Sequence, residues 1–142
     1  MTPFDGAAAL AFHDGNQRLL DRLLAEYLLH YQHAASDLAG LLEHDTAGAE
    51  RLAHNLKSLA AGFGAAPLAH ASAALETALT QAQQALAPTG HRALLERFAT
   101  AHASFTAAVR DYLARSAATT NEPAQAQHGA TPLSGQSPLS GQ

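Results

Sequence analysis

Apolar residues recur along this chain in alternating steps of three and four, the spacing that lines up one face of an α-helix. One run, from Gln17 to about Glu43, places Leu20, Leu24, Tyr27, Tyr31, Ala35, Leu38 and Leu42 on a single stripe and predicts the longest helix. Ahead of it, Asp5 can cap a short helix through Ala7 to Phe12, ended by the turn residues His13-Asp14-Gly15-Asn16. Asp45 or Thr46 can cap the next helix, which runs to about Gly62, where Gly62, Gly64 and Pro67 supply a stop and a fresh start. The helix beginning there carries Leu68, Ala71, Leu75, Leu79, Ala82 and Leu86 on one stripe and closes at Ala87-Pro88-Thr89-Gly90. The last, about His91 to Arg115, aligns Leu94, Phe98, Ala101, Phe105, Val109 and Tyr112. Four amphipathic helices on short connections predict an all-α fold, an antiparallel up-down four-helix bundle capped by the short N-terminal helix.

After Ser116 the periodicity stops and the chain turns to Ala, Thr, Gln, Pro, Gly and Ser, a composition expected to be disordered. It ends in a tandem repeat, Thr131-Pro132-Leu133-Ser134-Gly135-Gln136 followed by Ser137-Pro138-Leu139-Ser140-Gly141-Gln142, far too short for a solenoid and linker-like. The division expected is therefore a bundle domain over residues 1–116 and a tail over 117–142. A total of 142 residues suits one domain with a real apolar core. The 47% hydrophobic fraction rests mainly on Ala and Leu, which supports the helical reading.

The absence of Cys excludes disulfides, thiolate metal sites and cysteine nucleophiles together. Met1-Thr2-Pro3-Phe4-Asp5 lacks the basic then apolar layout of a signal peptide, and no apolar run reaches membrane-helix length, so a cytoplasmic protein is expected. With a formal charge of -4 and scattered Arg residues, nothing suggests a nucleic-acid or membrane partner. No extra apolar stripe points beyond a monomer.

Candidate chemistry lies on the second long helix. At about 100° per residue, Leu52, Leu56, Leu59 and Phe63 fall almost opposite His54, which is expected to face solvent. Its own face carries Ala47, Glu50 and Arg51, then Lys57, Ser58, Ala61 and, at the edge, Gly62. Small side chains at Ser58 and Ala61 leave a shallow landing surface for a partner. A histidine's ordinary pKa of about 6.5 leaves a neutral imidazole with a free lone pair, a nucleophile, at neutral pH. Lys57, the chain's only lysine, is a same-side neighbour able to reach a phosphoryl group on that ring. Most exposed histidines carry no chemistry, and spacing alone does not single this one out.

The run Ala53-His54-Asn55-Leu56-Lys57-Ser58-Leu59-Ala60-Ala61-Gly62-Phe63-Gly64 resembles the signature of the histidine-containing phosphotransfer (HPt) family: His, any residue, Leu, Lys, a small residue, then a hydrophobic residue and Gly nine and ten positions after the His. Ser58 stands where Gly is commoner, and Asn55 where Thr is frequent. The resemblance covers roughly residues 4 to 115 and includes Leu75-Glu76 in the following helix.

It implies a phosphorelay protein that accepts a phosphoryl group from a receiver-domain aspartate onto His54, with Lys57 stabilising it, and passes it to another receiver. Glu50, Arg51, Ser58, Ala61 and Gly62 are the partner-binding candidates. The partners implied are response-regulator receiver domains and a hybrid sensor histidine kinase. No cofactor or metal is expected on this chain, the magnesium ion belonging to the receiver. No Gly-rich phosphate loop is present, so ATP-dependent kinase activity is not expected. The alternative is a helical adaptor that docks signalling partners through the same face without phosphoryl chemistry.

Nine histidines also invite a metal reading, but the inward Glu and Glu-x-x-His spacing of ferritin-like bundles is missing. His30 and His33 lie beside or away from their stripe, His70 is expected to face solvent, His13 and His91 sit near helix ends, and His128 lies in the tail. His102 falls between Phe98 and Phe105 on the core side, as a packed core histidine.

Overall fold

The computed structural model describes residues 2–85 and 91–127, with backbone alone for 83–85 and 119–127. The described residues form six α-helices and no strand: α1 (Gly6–Phe12), α2 (Gln17–Tyr31), α3 (Ala34–His44), α4 (Thr46–Gly62), α5 (Ala66–Ala85) and α6 (His91–Gln127). The chain divides into two compact units, Met1–Val109 and Arg110–Gln142. In the second, Arg115 pairs with Asp111 one helical turn away.

The caps expected at Asp5 and Asp45 form, and Asn16, read from the sequence only as a turn residue, makes a third. Asp5 accepts a hydrogen bond from the Ala8 amide at 3.0 Å and starts α1. Asn16 does the same for α2 through the Leu19 amide, and Asp45 for α4 through the Gly48 amide. Each satisfies one of the amides that a helix start leaves without a partner.

The stretch from Gln17 to Glu43 is not one helix, however, and it is not the longest. It breaks at Gln32 and His33, and a fresh helix begins with the Asp37 amide bonding to the His33 carbonyl at 2.9 Å. The residues around the break, His30 to His33, have only middling helix propensity. Burial explains why the break is tolerated: the stripe continues as Leu20, Leu24, Tyr27, Ala34 and Leu38, so Ala34 rather than Tyr31 and Ala35 enters the core. Seven residues, close to two helical turns, separate Tyr27 from Ala34.

The longest helix is α6, which continues to Gln127 where a disordered tail was expected from residue 117. Ala117 and Ala118 extend an existing helix without the cost of nucleation, although the span also holds Pro123, which helix interiors disfavour. The expectations for Leu86, the Ala87–Gly90 turn, His128 and the terminal repeat lie outside the described residues.

The core of the first unit is aromatic at its centre. Tyr27 of α2 meets Phe105 of α6 edge-on at 5.2 Å, Phe63 at 5.9 Å and the His102 ring at 5.8 Å, while Phe4 meets Phe105 at 5.8 Å. Edge-to-face pairs at these distances add to the gain from burial. His102 is buried and stacks on Phe98, which places it in the core as its spacing suggested. Leu68, Leu75 and Leu79 of α5 and Phe98 and Val109 of α6 are fully buried as well.

Burial, with Tyr31 adding to it, pushes the Tyr27 phenol well above its ordinary range, so it stays un-ionised. Its Oη is buried with no hydrogen-bond partner among the described residues. Leaving such a group unsatisfied costs about 1–3 kcal/mol. Tyr27→Phe is therefore expected to stabilise the fold by about 1 kcal/mol, raising Tm by about 4 °C. A lower Tm in calorimetry would mean that the hydroxyl is satisfied after all.

Candidate functional site

Helix α4 ends as its glycines demand. Phe63 follows the last turn, the Ala65 amide returns to the Ala60 carbonyl at 2.9 Å, and Gly64 takes a left-handed φ of +65°. The Gly64 carbonyl accepts a hydrogen bond from the Asp5 amide at 2.9 Å, which ties the start of α1 to the end of α4. A Cβ at Gly64 would lie 2.7 Å from the Asp5 carbonyl oxygen, so only glycine fits both the angle and the space.

The buried face of α4 is rotated from the one its leucines suggest. It consists of Ala49, Ala53, Leu56, Ala60 and Phe63, whereas Leu52 and Leu59 are only half-buried. The helix packs most extensively on α5 and also touches α3, and alanines let those neighbours come close. The large leucines at 52 and 59 are left on the flank.

His54 still lies outside the buried face, its side chain 56% exposed. Ala47, Arg51, Ser58 and Ala61 are exposed with it, as expected for the landing face. Glu50 is half-buried, accepts a hydrogen bond from the Thr80 hydroxyl of α5, and lines the same open depression as Arg51, His54 and Glu76. Gly62 is buried: a Cβ there would be 3.2 Å from the Phe12 ring, which lies over it.

The residue that organises the site is Glu76 of α5. The ring Nδ1 of His54 and one carboxylate oxygen of Glu76 are 2.7 Å apart, and the ammonium of Lys57 is 2.8 Å from the other oxygen. One carboxylate thus holds the two α4 side chains that the sequence singled out. The hydrogen bond from Lys57 is the main reason that the Glu76 carboxyl titrates below its ordinary value, with His54 contributing and partial burial opposing. At neutral pH it is an anion between two donors. The second ring nitrogen of His54, Nε2, has no hydrogen-bond partner among the described residues.

Glu76 entered the sequence reading only as part of the Leu75-Glu76 resemblance. A signal was available, since it is the sole acidic residue of α5 and flanks the buried Leu75 and Leu79.

Beside this face, an apolar groove of about 260 Å³ opens between α1, α2 and α4. Phe12, Tyr27, Tyr31, Ser58, Leu59 and Phe63 line it, with His13, Glu26 and His30 at its polar points. The His13 Nδ1 bonds the Ala9 carbonyl at 2.8 Å, which turns its ring onto Phe63. Phe12 is 68% exposed, unusual for a large apolar side chain. Ser58 belongs to both the groove and the His54 face, which makes the two surfaces continuous.

His30 and His70 are exposed, His33 is exposed at the start of α3, and His13 ends α1. Among the described residues no group of three or more His, Asp or Glu is placed to hold a metal ion, and no helix is long and apolar enough to cross a membrane. Comparison of the chain with protein-family models, with curated proteins and with solved structures found no match.

Proposed function

We propose that this chain is a histidine phosphotransfer protein of a two-component phosphorelay, built as an antiparallel up-down four-helix bundle in which α2 and α3 together make one leg. The observation that carries the reading is the setting of His54. Its imidazole is exposed, one nitrogen is held by a carboxylate, the other has no partner, and the only lysine of the chain is bound to the same carboxylate.

In the reaction proposed, the Nε2 lone pair attacks the phosphorus of a receiver's aspartyl phosphate. The bond from phosphorus to the aspartate oxygen breaks, and its electron pair leaves with the carboxylate. Transfer to a second receiver runs the same step backwards. Positioning and charge stabilisation do most of the work in such a transfer. The receiver supplies the magnesium ion, and the Lys57 ammonium supplies a cation beside the phosphoryl oxygens. The small residues Ser58 and Ala61 allow the close approach that in-line attack requires. Arg51 offers a charged contact at the edge, and the groove under Phe12 offers an apolar one for a receiver helix. No ATP-dependent kinase activity is assigned to this chain, and a cytoplasmic location goes with the proposed partners.

Incubation with a labelled, phosphorylated receiver domain tests the reading. The wild-type protein is expected to acquire an acid-labile, alkali-stable label, and His54→Gln none. An unlabelled wild-type protein, opposite a receiver known to be active, would leave a helical adaptor as the better account. Lys57→Ala is expected to fold normally and to transfer about tenfold more slowly, equivalent to about 1.4 kcal/mol of lost transition-state stabilisation. An unchanged rate would remove Lys57 from the mechanism.

A further inference from the structure

We propose that Arg51 is a second catalytic cation of this site, whose guanidinium takes the oxygens of the phosphoryl group on His54 Nε2 while Lys57 stays with Glu76. The role rests on the phosphotransfer reading and names a residue that holds the group in transit. At about 100° per residue, Glu50 and Lys57 fall on one flank of His54, and both are bonded across to α5, Glu50 to Thr80 and Lys57 to Glu76. Arg51 and Ser58 fall on the opposite flank, and both are exposed. Contact with Glu76 at 2.7 Å holds the Nδ1 edge of the His54 ring toward α5, so Nε2, across the ring, is turned from that carboxylate. A helical side chain also leans back over the turn before it, which for His54 is the turn that carries Arg51. His54 and Arg51 line one open depression of about 400 Å³, together with Glu50, Asn55 and Glu76.

The charges favour the same residue. A phosphoryl group arriving at Nε2 is an anion, and the depression already holds the carboxylates of Glu50 and Glu76. The Lys57 ammonium is 2.8 Å from Glu76, so its charge is largely offset there. Arg51 is the one lining residue that is a cation at every ordinary pH, and it has no ion-pair partner among the described residues. Its planar fork can donate parallel N–H bonds to two phosphoryl oxygens, a charge-assisted contact that a single ammonium does not make. As Nε2 bonds to phosphorus, the bond to the leaving oxygen breaks and takes its electron pair, while the other three oxygens keep their charge throughout. Those oxygens are what Arg51 meets, so it acts on the transferred group itself and not only on the surface of a receiver.

The test uses the full chain and phosphoramidate, a small donor that needs no receiver. Nε2 attacks its phosphorus, and ammonia leaves the protonated donor with the electron pair of the bond to phosphorus. Arg51→Gln is expected to label His54 about tenfold more slowly than the wild type, the size of one lost charge-assisted hydrogen bond. Arg51→Lys, which keeps the charge without the fork, should fall between the two. Arg22→Gln, which removes an exposed arginine from α2, should label at the wild-type rate. An Arg51→Gln protein labelled by phosphoramidate at the wild-type rate would overturn the proposal, and slowed transfer from a receiver alone would then make Arg51 a partner contact. Equal slowing in Arg22→Gln would overturn it too, by assigning the effect to net charge. A wild-type protein that takes no label from phosphoramidate or from an active receiver would overturn the phosphotransfer reading and the role of Arg51 with it.

Discussion

Phe105→Ala is expected to cost about 3–5 kcal/mol of folding free energy, the range for deleting a large aromatic side chain from a closed core. Phe105 is fully buried, and its ring meets those of Phe4, Tyr27 and Phe63 within 6.1 Å. These partners come from the N-terminal segment, α2 and the end of α4, so no single helix can shift to refill the space. Domains of this size are stable by about 5–15 kcal/mol in total, so the variant should sit near the edge of folding. A urea titration reads the effect as a lower midpoint, with the slope unchanged if both end states are preserved. A loss below about 1 kcal/mol would show that the aromatic cluster is not a closed core.

Gly64→Ala is expected to be the most damaging substitution outside the core. The left-handed φ of +65° costs a residue with a Cβ about 1–2 kcal/mol. A methyl group 2.7 Å from the Asp5 carbonyl oxygen must in addition push backbone aside. The groups displaced are those that join Asp5 to Gly64, and with them α1 and the Phe12 ring over Gly62. Amide exchange should therefore quicken at Asp5 and Ala8 before it does so in α5, and the thermal midpoint should fall. Unchanged exchange at both amides would mean that the tie between α1 and α4 contributes nothing. The glycine ending the motif is thus explained by backbone geometry, independently of any chemistry at His54.

How much of this was legible in the sequence depends on whether the signal was local. The starts of α1 and α4 could be read from Asp5 and Asp45 because a cap is decided within three residues. The core stripe of α5 was read correctly at Leu68, Ala71, Leu75 and Leu79, where the leucines dominate it, whereas Ala82 is only half-buried. The buried face of α4 was misjudged because alanine gives a weak apolar signal, and Leu52 and Leu59 outweighed Ala49, Ala53 and Ala60. The break between α2 and α3 carries no Pro or Gly, and the three-and-four spacing of apolar residues runs through it from Tyr27 and Tyr31 to Ala35 and Leu38. Nothing local announces it.

At the candidate site, the spacing made His54 and Lys57 legible as same-side neighbours on one helix, but only the resemblance of the run Ala53 to Gly64 singled them out. Glu76 comes from another helix, 22 positions from His54, and a contact between helices leaves no periodic trace. Phe12 was read only as part of a short apolar helix. Its place beside Gly62 is a contact between α1 and α4, which a pattern local to α1 does not carry.

The account turns on where a phosphoryl group goes, and mass-spectrometric mapping after exposure to a phosphorylated receiver answers that directly, under neutral or alkaline conditions that preserve phosphohistidine. The expected result is a single phosphoryl group on the peptide containing His54, which disappears when a second, unphosphorylated receiver is added. A phosphoryl group on any other of the nine histidines, or none at all with an active receiver, would contradict the account.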